Sequence, residues 1–304
     1  MADVADVGYH SQVQMRPTIS VLAILAATAL VAPTGPLQRS VRSDESESAL
    51  NKLLKTFDSE FVSINPGQDD FPQSFVMGTD KGLIAEQPAH KVTFDYRFAI
   101  AKYEVPQNLY EAVMGANPSR WKGVRNSAEM FSFAEAQEFC RKITELMRVA
   151  KLLAIDEEIR LPSEAEWEYC CRAGSTTQFN FGDSAVKPGD TGNQASLLDE
   201  YAWHTGNAAG NDPPVGAKKP NAWGLYDMHG YLWEFVSDAW HETYAGAPAD
   251  GSSWSSDQRD SRRVIRGGSW KDRYYGLRSA SRRPIDASAK DDAVGLRCVK
   301  AKVR

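Results

Sequence analysis

Two carboxylates seven residues apart, Asp227 and Glu234, flank Gly230 in the segment NAWGLYDMHGYLWEFVSDAW, residues 221–240. A chain turning at that glycine could direct both carboxylates and the intervening carbonyls at one point. Ca²⁺ is held in this way, by about six to eight oxygens that often include backbone carbonyls. The structural alternative has Asp227 capping a turn, Glu234 paired with an arginine and the aromatics filling core; spacing alone favours it, because turn-forming Asp and Gly are common. His229 and His241 flank Asp238, the residue types of a two-His, one-carboxylate iron site. Twelve residues separate the two histidines, however, which speaks for structural roles. His90 has no ligand-spaced neighbour, and His204 in YAWHTGN is a loop residue. Glu164, Glu166 and Glu168 begin a helix, where the first turn favours acidic side chains, so they read as cap and surface groups rather than catalytic ones. There is no GxSxG, no phosphate-cradling Gly-rich loop and no HExxH. The four cysteines, Cys140, Cys170, Cys171 and Cys298, permit three complete pairings.

Few regular elements are available to position these groups. Glu104–Met114 can form a helix with Val105, Leu109, Ala112 and Val113 inward, and Phe133–Val149 makes a clearer one. Ser132 with Glu135, and Ser163 with Glu166, have the capping-box spacing. Arg160–Cys171 reads as strand, turn and helix with Trp167 as core anchor. His90–Ile100 alternates apolar and polar residues as a half-buried strand does, and Phe57–Met77 suggests two short strands around a Gly-Gln-Asp-Asp turn. The loop-rich stretch from Gly182 to Asn221 is long enough to imply function or ligand support. Eight Trp in 304 residues suit a domain whose loops are pinned by large side chains.

The net charge of −5 argues against nucleic acid or an anionic membrane as the main partner, since those require clustered Lys and Arg. The arginines that do crowd together, Arg259 to Arg283, lie among aspartates and read as ion-paired structural groups. At the start, Met15-Arg16 precedes an uncharged run of fourteen residues, Ile19–Ala32. Such a run is short for a membrane span and fits a signal-peptide core or an uncleaved anchor, so export to the periplasm or the medium is expected, with membrane contact only through that anchor. The expected organisation is an extension and leader over 1–32, a flexible linker over 33–56 and one domain over 57–304.

Several stretches carry a family likeness. GLYDMHGYLWEF resembles the GLYDMxGNVWEW signature of the sulfatase-modifying-factor family, which includes the formylglycine-generating enzymes. In the same order as in that family come Phe75-Val76-Met77-Gly78, Tyr103-Glu104-Val105 with Asn117-Pro118-Ser119, RLPSEAEWEY from Arg160, RGGSW from Arg266 and GLRCV from Gly295. The resemblance covers about Phe57 to Val299 and implies an α+β, C-type-lectin-like fold with little regular secondary structure.

It also implies a structural calcium on the Asp227 and Glu234 side chains with the Gly230 and Leu232 carbonyls, which turns the balance toward calcium. A looser first calcium site would involve Asn193, Asp199 and Tyr201. A Cys140–Cys298 disulfide is implied, with Cys170 and Cys171 left free and buried because the partner of Cys171 falls at about Ser279. Tyr231 stands where the signature has Asn, and Phe235 where Trp is common.

The formylglycine-generating enzymes carry between Trp270 and Ser279 the two cysteines that bind copper(I) and attack the substrate. This chain has none there; Asp272 stands near the first position. Copper is therefore not expected, since Cu(I) needs thiolates. Three functions follow as expectations: an exported family member that binds a peptide, glycan or small molecule in a groove around Trp270, Asp272, Arg273, Tyr274 and Tyr275, or acts in specialised maturation; a non-haem-iron oxidoreductase of the same superfamily; or a formylglycine-generating oxidase with thiols displaced to Cys170 and Cys171.

Overall fold

A computed structural model describes residues 36–209, 212–255 and 261–303. The leader expected over 1–32 and Arg259 lie outside the described residues. Glu45–Arg304 forms one compact unit.

The expected flexible linker is corrected by α1, a helix over Pro36–Ser59. Its second half is amphipathic: Leu54 and Phe57 are buried in the main core, and Leu50 and Leu53 pack against it. Apolar residues three and four apart on one face outweigh the Ser, Pro and charge content of the stretch before them. The folded unit accordingly includes residues before Phe57.

Three small sheets follow. β1 (Phe61–Ile64), β4 (Phe98–Ala101), β10 (Val299–Lys302) and β5 (Glu157–Arg160) form an antiparallel sheet in the order β1-β4-β10-β5. β2 (Ser74–Met77) pairs only with β3 (His90–Thr93). β8 (Arg282–Asp286), β7 (Arg262–Arg266), β6 (Trp233–Ala239) and β9 (Val294–Leu296) form the third, with β6 and β9 parallel. The single strand expected over His90–Ile100 is thus two strands in different sheets.

α2 begins at Gln107 rather than Glu104 because Pro106 stands at its N-cap and disfavours helix for the residue before it. Glu104 and Val105 are left extended, and the Val105 N–H donates to the Leu296 carbonyl. α3 (Phe133–Val149) and α4 (Glu164–Arg172) have the expected capping boxes, with Ser132 accepting from Glu135 N–H and Ser163 from Glu166 N–H. α2 and α3 enclose one apolar cluster, in which Tyr110 stacks on Phe131 and Phe139 at 4.9 and 5.4 Å. Trp167 anchors the other cluster, fully buried as expected.

Candidate functional site

The segment 221–240 runs through the centre of the unit, and its carboxylates have distinct environments. The chain takes a left-handed turn at Asp227 (φ 58°). It opens again at Gly230, where a Cβ would lie 2.5 Å from the Trp203 carbonyl, so no larger residue fits. At the start of β6, Glu234 is fully buried, and both its oxygens are used: Arg297 donates to them at 2.8 and 3.0 Å and the Trp167 indole N–H at 2.7 Å. Arg297, also fully buried, gives its remaining N–H groups to the carbonyls of Ala101, Lys102 and Tyr226. Glu234 is therefore the arginine-paired residue that spacing suggested.

Asp227 is different. Its Oδ2 accepts the Gly216 N–H at 2.7 Å, while its buried Oδ1 has no partner. Glu104, delivered by the extended chain before Pro106, accepts the Leu232 N–H on Oε1 at 3.1 Å; its buried Oε2 has the Ser127 hydroxyl beside it but no partner in hydrogen-bonding geometry among the described residues. Burial pushes Asp227 up to about 6, and burial with the charges of Glu234 and Asp227 pushes Glu104 well above the carboxylate range. Two half-satisfied buried carboxylates that repel each other fit a hard cation, with Asp227 and Glu104 as the free acceptors on either side of the Gly230–Leu232 turn. Glu234 does not fit as a ligand because Arg297 and Trp167 occupy it. From sequence, Glu104 was read as the start of a helix and as part of the Tyr103-Glu104-Val105 motif, not as a ligand; the Pro two residues later was the available signal that it does not begin the helix.

Of the looser first set, Asn193 is half-buried, and Asp199 and Tyr201 have other partners. Asp199 Oδ1 accepts from His204 Nε2 at 2.8 Å and Asn207 Nδ2 at 2.9 Å, and its carbonyl accepts from Lys218 at 2.7 Å. Tyr201 stacks on Phe181 at 4.5 Å. The histidines are likewise placed by other contacts. His229, buried, donates from Nδ1 to the Leu277 carbonyl at 2.8 Å and accepts the Asn180 N–H on Nε2 at 3.1 Å, and burial lowers it to about 4. His241 stacks on Trp254 at 3.6 Å, whereas Asp238 accepts the Glu164 and Trp254 N–H groups. Each has partners of its own, so the three do not converge, and no cluster of three or more His, Cys, Asp or Glu able to hold a metal occurs among the described residues.

Asp272 is a buried hub rather than a groove residue. Its Oδ2 accepts from the Trp233 indole at 2.7 Å and from the Ser269 N–H and hydroxyl at 3.1 and 2.6 Å; Oδ1 pairs with Arg283 at 2.7 Å. Around it, Trp270 is half-buried and donates to the Asp292 carbonyl, and Tyr274 packs against the Phe179–Leu277 cluster. Arg273 and Tyr275 are exposed. None of the five lines the cleft of about 840 Å³ between β2, the 79–82 turn and the end of α4.

Reading Glu164, Glu166 and Glu168 as surface groups is also corrected. All three are buried, Glu164 paired with Arg282, Glu166 with Arg160, and Glu168 with Arg172 and Arg266. The arginine cluster is ion-paired as expected at Arg262, Arg266, Arg278, Arg282 and Arg283. No disulfide is formed among the described residues: Cys140 and Cys298 are free thiols side by side in the same core cluster, so the implied bridge is not shown. Cys170 and Cys171 are free and buried, and burial pushes Cys171 up to about 12. Ser279 is beside Cys171, where the resemblance places the absent sulfur.

Residues 52–302 match the sulfatase-modifying factor enzyme 1-like domain. The chain belongs to that family. The chaperone protein LppX of Paenibacillus barcinonensis is 27% identical over 67% of this chain and 80% of its own length. The formylglycine-generating enzyme of Mus musculus is 31% identical over 46% of this chain, but the match spans only 38% of the mouse protein. Among solved structures, PvdO from Pseudomonas aeruginosa superposes with a TM-score of 0.64 at 30% identity, over 80% of this chain and 94% of PvdO. Treponema denticola variable protein 1 shares the fold, with a TM-score of 0.62 at 23% identity over 80% of this chain and 95% of that one.

Proposed function

We propose that this chain is an exported member of the family that acts by binding or by assisting maturation, without thiol-copper conversion of a sulfatase cysteine. The observation that carries this reading is Asp272. Near the position where the resemblance puts the first copper-binding sulfur of the formylglycine-generating enzymes, a carboxylate is held by Trp233, Ser269 and Arg283. A hard oxygen ligand engaged in this way does not replace a thiolate for Cu(I).

The displaced-thiol alternative finds little support in the chemistry of Cys170 and Cys171. Both are buried, and Cys171 is pushed up to about 12, whereas a nucleophilic or metal-binding cysteine needs a stabilised thiolate. The iron alternative lacks converging ligands in the His229, Asp238 and His241 set described above. The chaperone among the relatives favours a polypeptide over a glycan or small molecule as ligand. Calcium, held by Asp227 and Glu104 with the Gly230 and Leu232 carbonyls, would neutralise the buried carboxylates and brace the turn below Trp270.

Incubation with copper(I) and a CxPxR sulfatase peptide, followed by mass spectrometry, should show no conversion of thiol to aldehyde. Aldehyde formation that survives removal of contaminating enzyme would overturn the reading. For the binding role, the full chain should capture an extended polypeptide with saturation, and Trp270→Ala separates the two candidate locations: loss of capture with an unchanged melt would put the ligand at Trp270 rather than in the cleft.

A further inference from the structure

β2 pairs with β3 along one edge and, among the described residues, has no strand on the other. The register fixes which amides face that open edge. Phe94 N–H donates to the Gln73 carbonyl, and the pairs Phe75–Val92 and Met77–His90 continue at two-residue steps, so odd-numbered residues turn their amides toward β3. Even-numbered residues turn away. The Pro72 carbonyl accepts from the Tyr169 hydroxyl at 2.7 Å; the Gly78 N–H donates to Glu168 at 2.9 Å, and its carbonyl accepts from Arg172 at 3.2 Å. α4 thus closes both ends of the free edge. Between them, the N–H and C=O groups of Ser74 and Val76 have no partner among the described residues.

This open stretch lines the 840 Å³ cleft together with the Ser175–Gln178 loop and Lys81. Val76 lines it and is 57% exposed, and Leu83 and Ile84, 64% and 75% exposed, follow the lining residue Gly82 in the chain. The turn carrying Leu83 and Ile84 is tied to the end of β2 by the Thr79 N–H to Glu86 carbonyl bond at 2.9 Å. Charges at the cleft are mostly satisfied. Arg172 pairs with Glu168 and Arg278 with Glu86, while Asp80 and Asp183 each accept a backbone N–H. Lys81 is the lining cation without an ion-pair partner among the described residues.

We propose that this cleft takes an extended segment of a partner polypeptide as an added strand on the free edge of β2. An apolar side chain of that segment packs on Val76, Leu83 and Ile84, and an acidic one meets Lys81. The inference rests on the binding reading above and names its ligand geometry. Two residues of one strand present outward amide pairs about 6.8 Å apart, the repeat of a second strand, and main-chain pairing of this kind supplies affinity while alternate side chains supply specificity. A sugar has no such repeat of paired donor and acceptor.

The test uses the full chain and a fluorescein-labelled, acetylated Thr-Val-Thr-Val-Asp-Thr peptide, read by anisotropy and by amide hydrogen exchange. Saturable binding is expected, with slowed exchange at Ser74 and Val76. Methylating alternate peptide nitrogens should weaken binding by about tenfold or more, the loss expected when main-chain bonds carry over 1.4 kcal/mol. Val76→Pro removes an outward N–H at an edge position where proline is tolerated, and should weaken binding to a similar extent. Lys81→Glu, an exposed change that leaves folding intact, should weaken it several-fold. Absence of saturation up to about 1 mM, equal binding of the methylated peptide, or displacement of the peptide by maltoheptaose would each overturn the proposal. Peptide binding lost in Trp270→Ala but retained in Val76→Pro would sink this site while leaving the binding reading intact.

Discussion

Arg297 offers the sharpest test of how the central segment is held. Its guanidinium, fully buried, satisfies both oxygens of Glu234 and three backbone carbonyls from two other parts of the chain. Arg297→Met leaves Glu234 buried with only the Trp167 indole as donor. Removing one partner of a buried pair costs about 3–5 kcal/mol. The Lys102 carbonyl keeps the Tyr226 N–H, but those of Ala101 and Tyr226 lose the Arg297 donor, each adding about 1 kcal/mol or more. The sum, roughly 5–7 kcal/mol, is comparable with the whole stability of an ordinary domain, about 5–15 kcal/mol, so this variant should be largely unfolded or melt far below the parent. Glu234→Gln should be milder, because Arg297 keeps its carbonyls. The double variant should be more stable than the sum of the two single changes predicts, by about 3 kcal/mol, since it removes the uncompensated charge. Urea unfolding followed by tryptophan fluorescence and far-ultraviolet circular dichroism gives all four corners of the cycle. A coupling below about 1 kcal/mol would refute the claim that this pair organises the segment. The cycle should read the same with calcium or chelator present, because Glu234 is not among the proposed ligands.

Calcium should raise the melting temperature and chelator lower it, with Asp227→Asn or Glu104→Gln each abolishing the difference; a difference retained in Glu104→Gln but lost in Glu234→Gln would return the ligand role to Glu234. Acid sensitivity should trace partly to His229, whose buried imidazole is lowered to about 4. The unfolded chain takes up the proton first, so the stability this group contributes is complete above its unfolded value of about 6.5 and is lost as pH falls toward 4, a span worth on the order of 3 kcal/mol. His229→Gln should flatten the stability profile over that window, and an unchanged slope would count against it. Asp238 runs the other way: burial and the Glu164 charge raise it to about 7, so the folded chain holds its proton longer and stability falls as pH rises from about 4 to 7.

What could be read in the sequence was local. Ser132 with Glu135 and Ser163 with Glu166 are three residues apart, and the caps they predict are present because the donors and acceptors are on the same turn. The roles of Glu164 and Glu168 were not legible, because the arginines that bury them are 118 and 98 residues away. An acidic first turn looks the same whether it faces water or an arginine delivered by a distant strand. The same limit applies to Asp272, whose Trp233 donor is 39 residues back in the chain. α1 is a different kind of miss: the apolar stripe from Leu50 to Phe57 is local, and the charge and serine before it masked it. Glu234 is the instructive case. Spacing favoured an arginine partner, family likeness favoured a cation, and the structure gives the arginine to Glu234 while leaving unpartnered oxygens on Asp227 and Glu104. One buried cation cannot neutralise three neighbouring carboxylates. Two acceptors therefore remain available, and a divalent ion is the charge that would complete the balance.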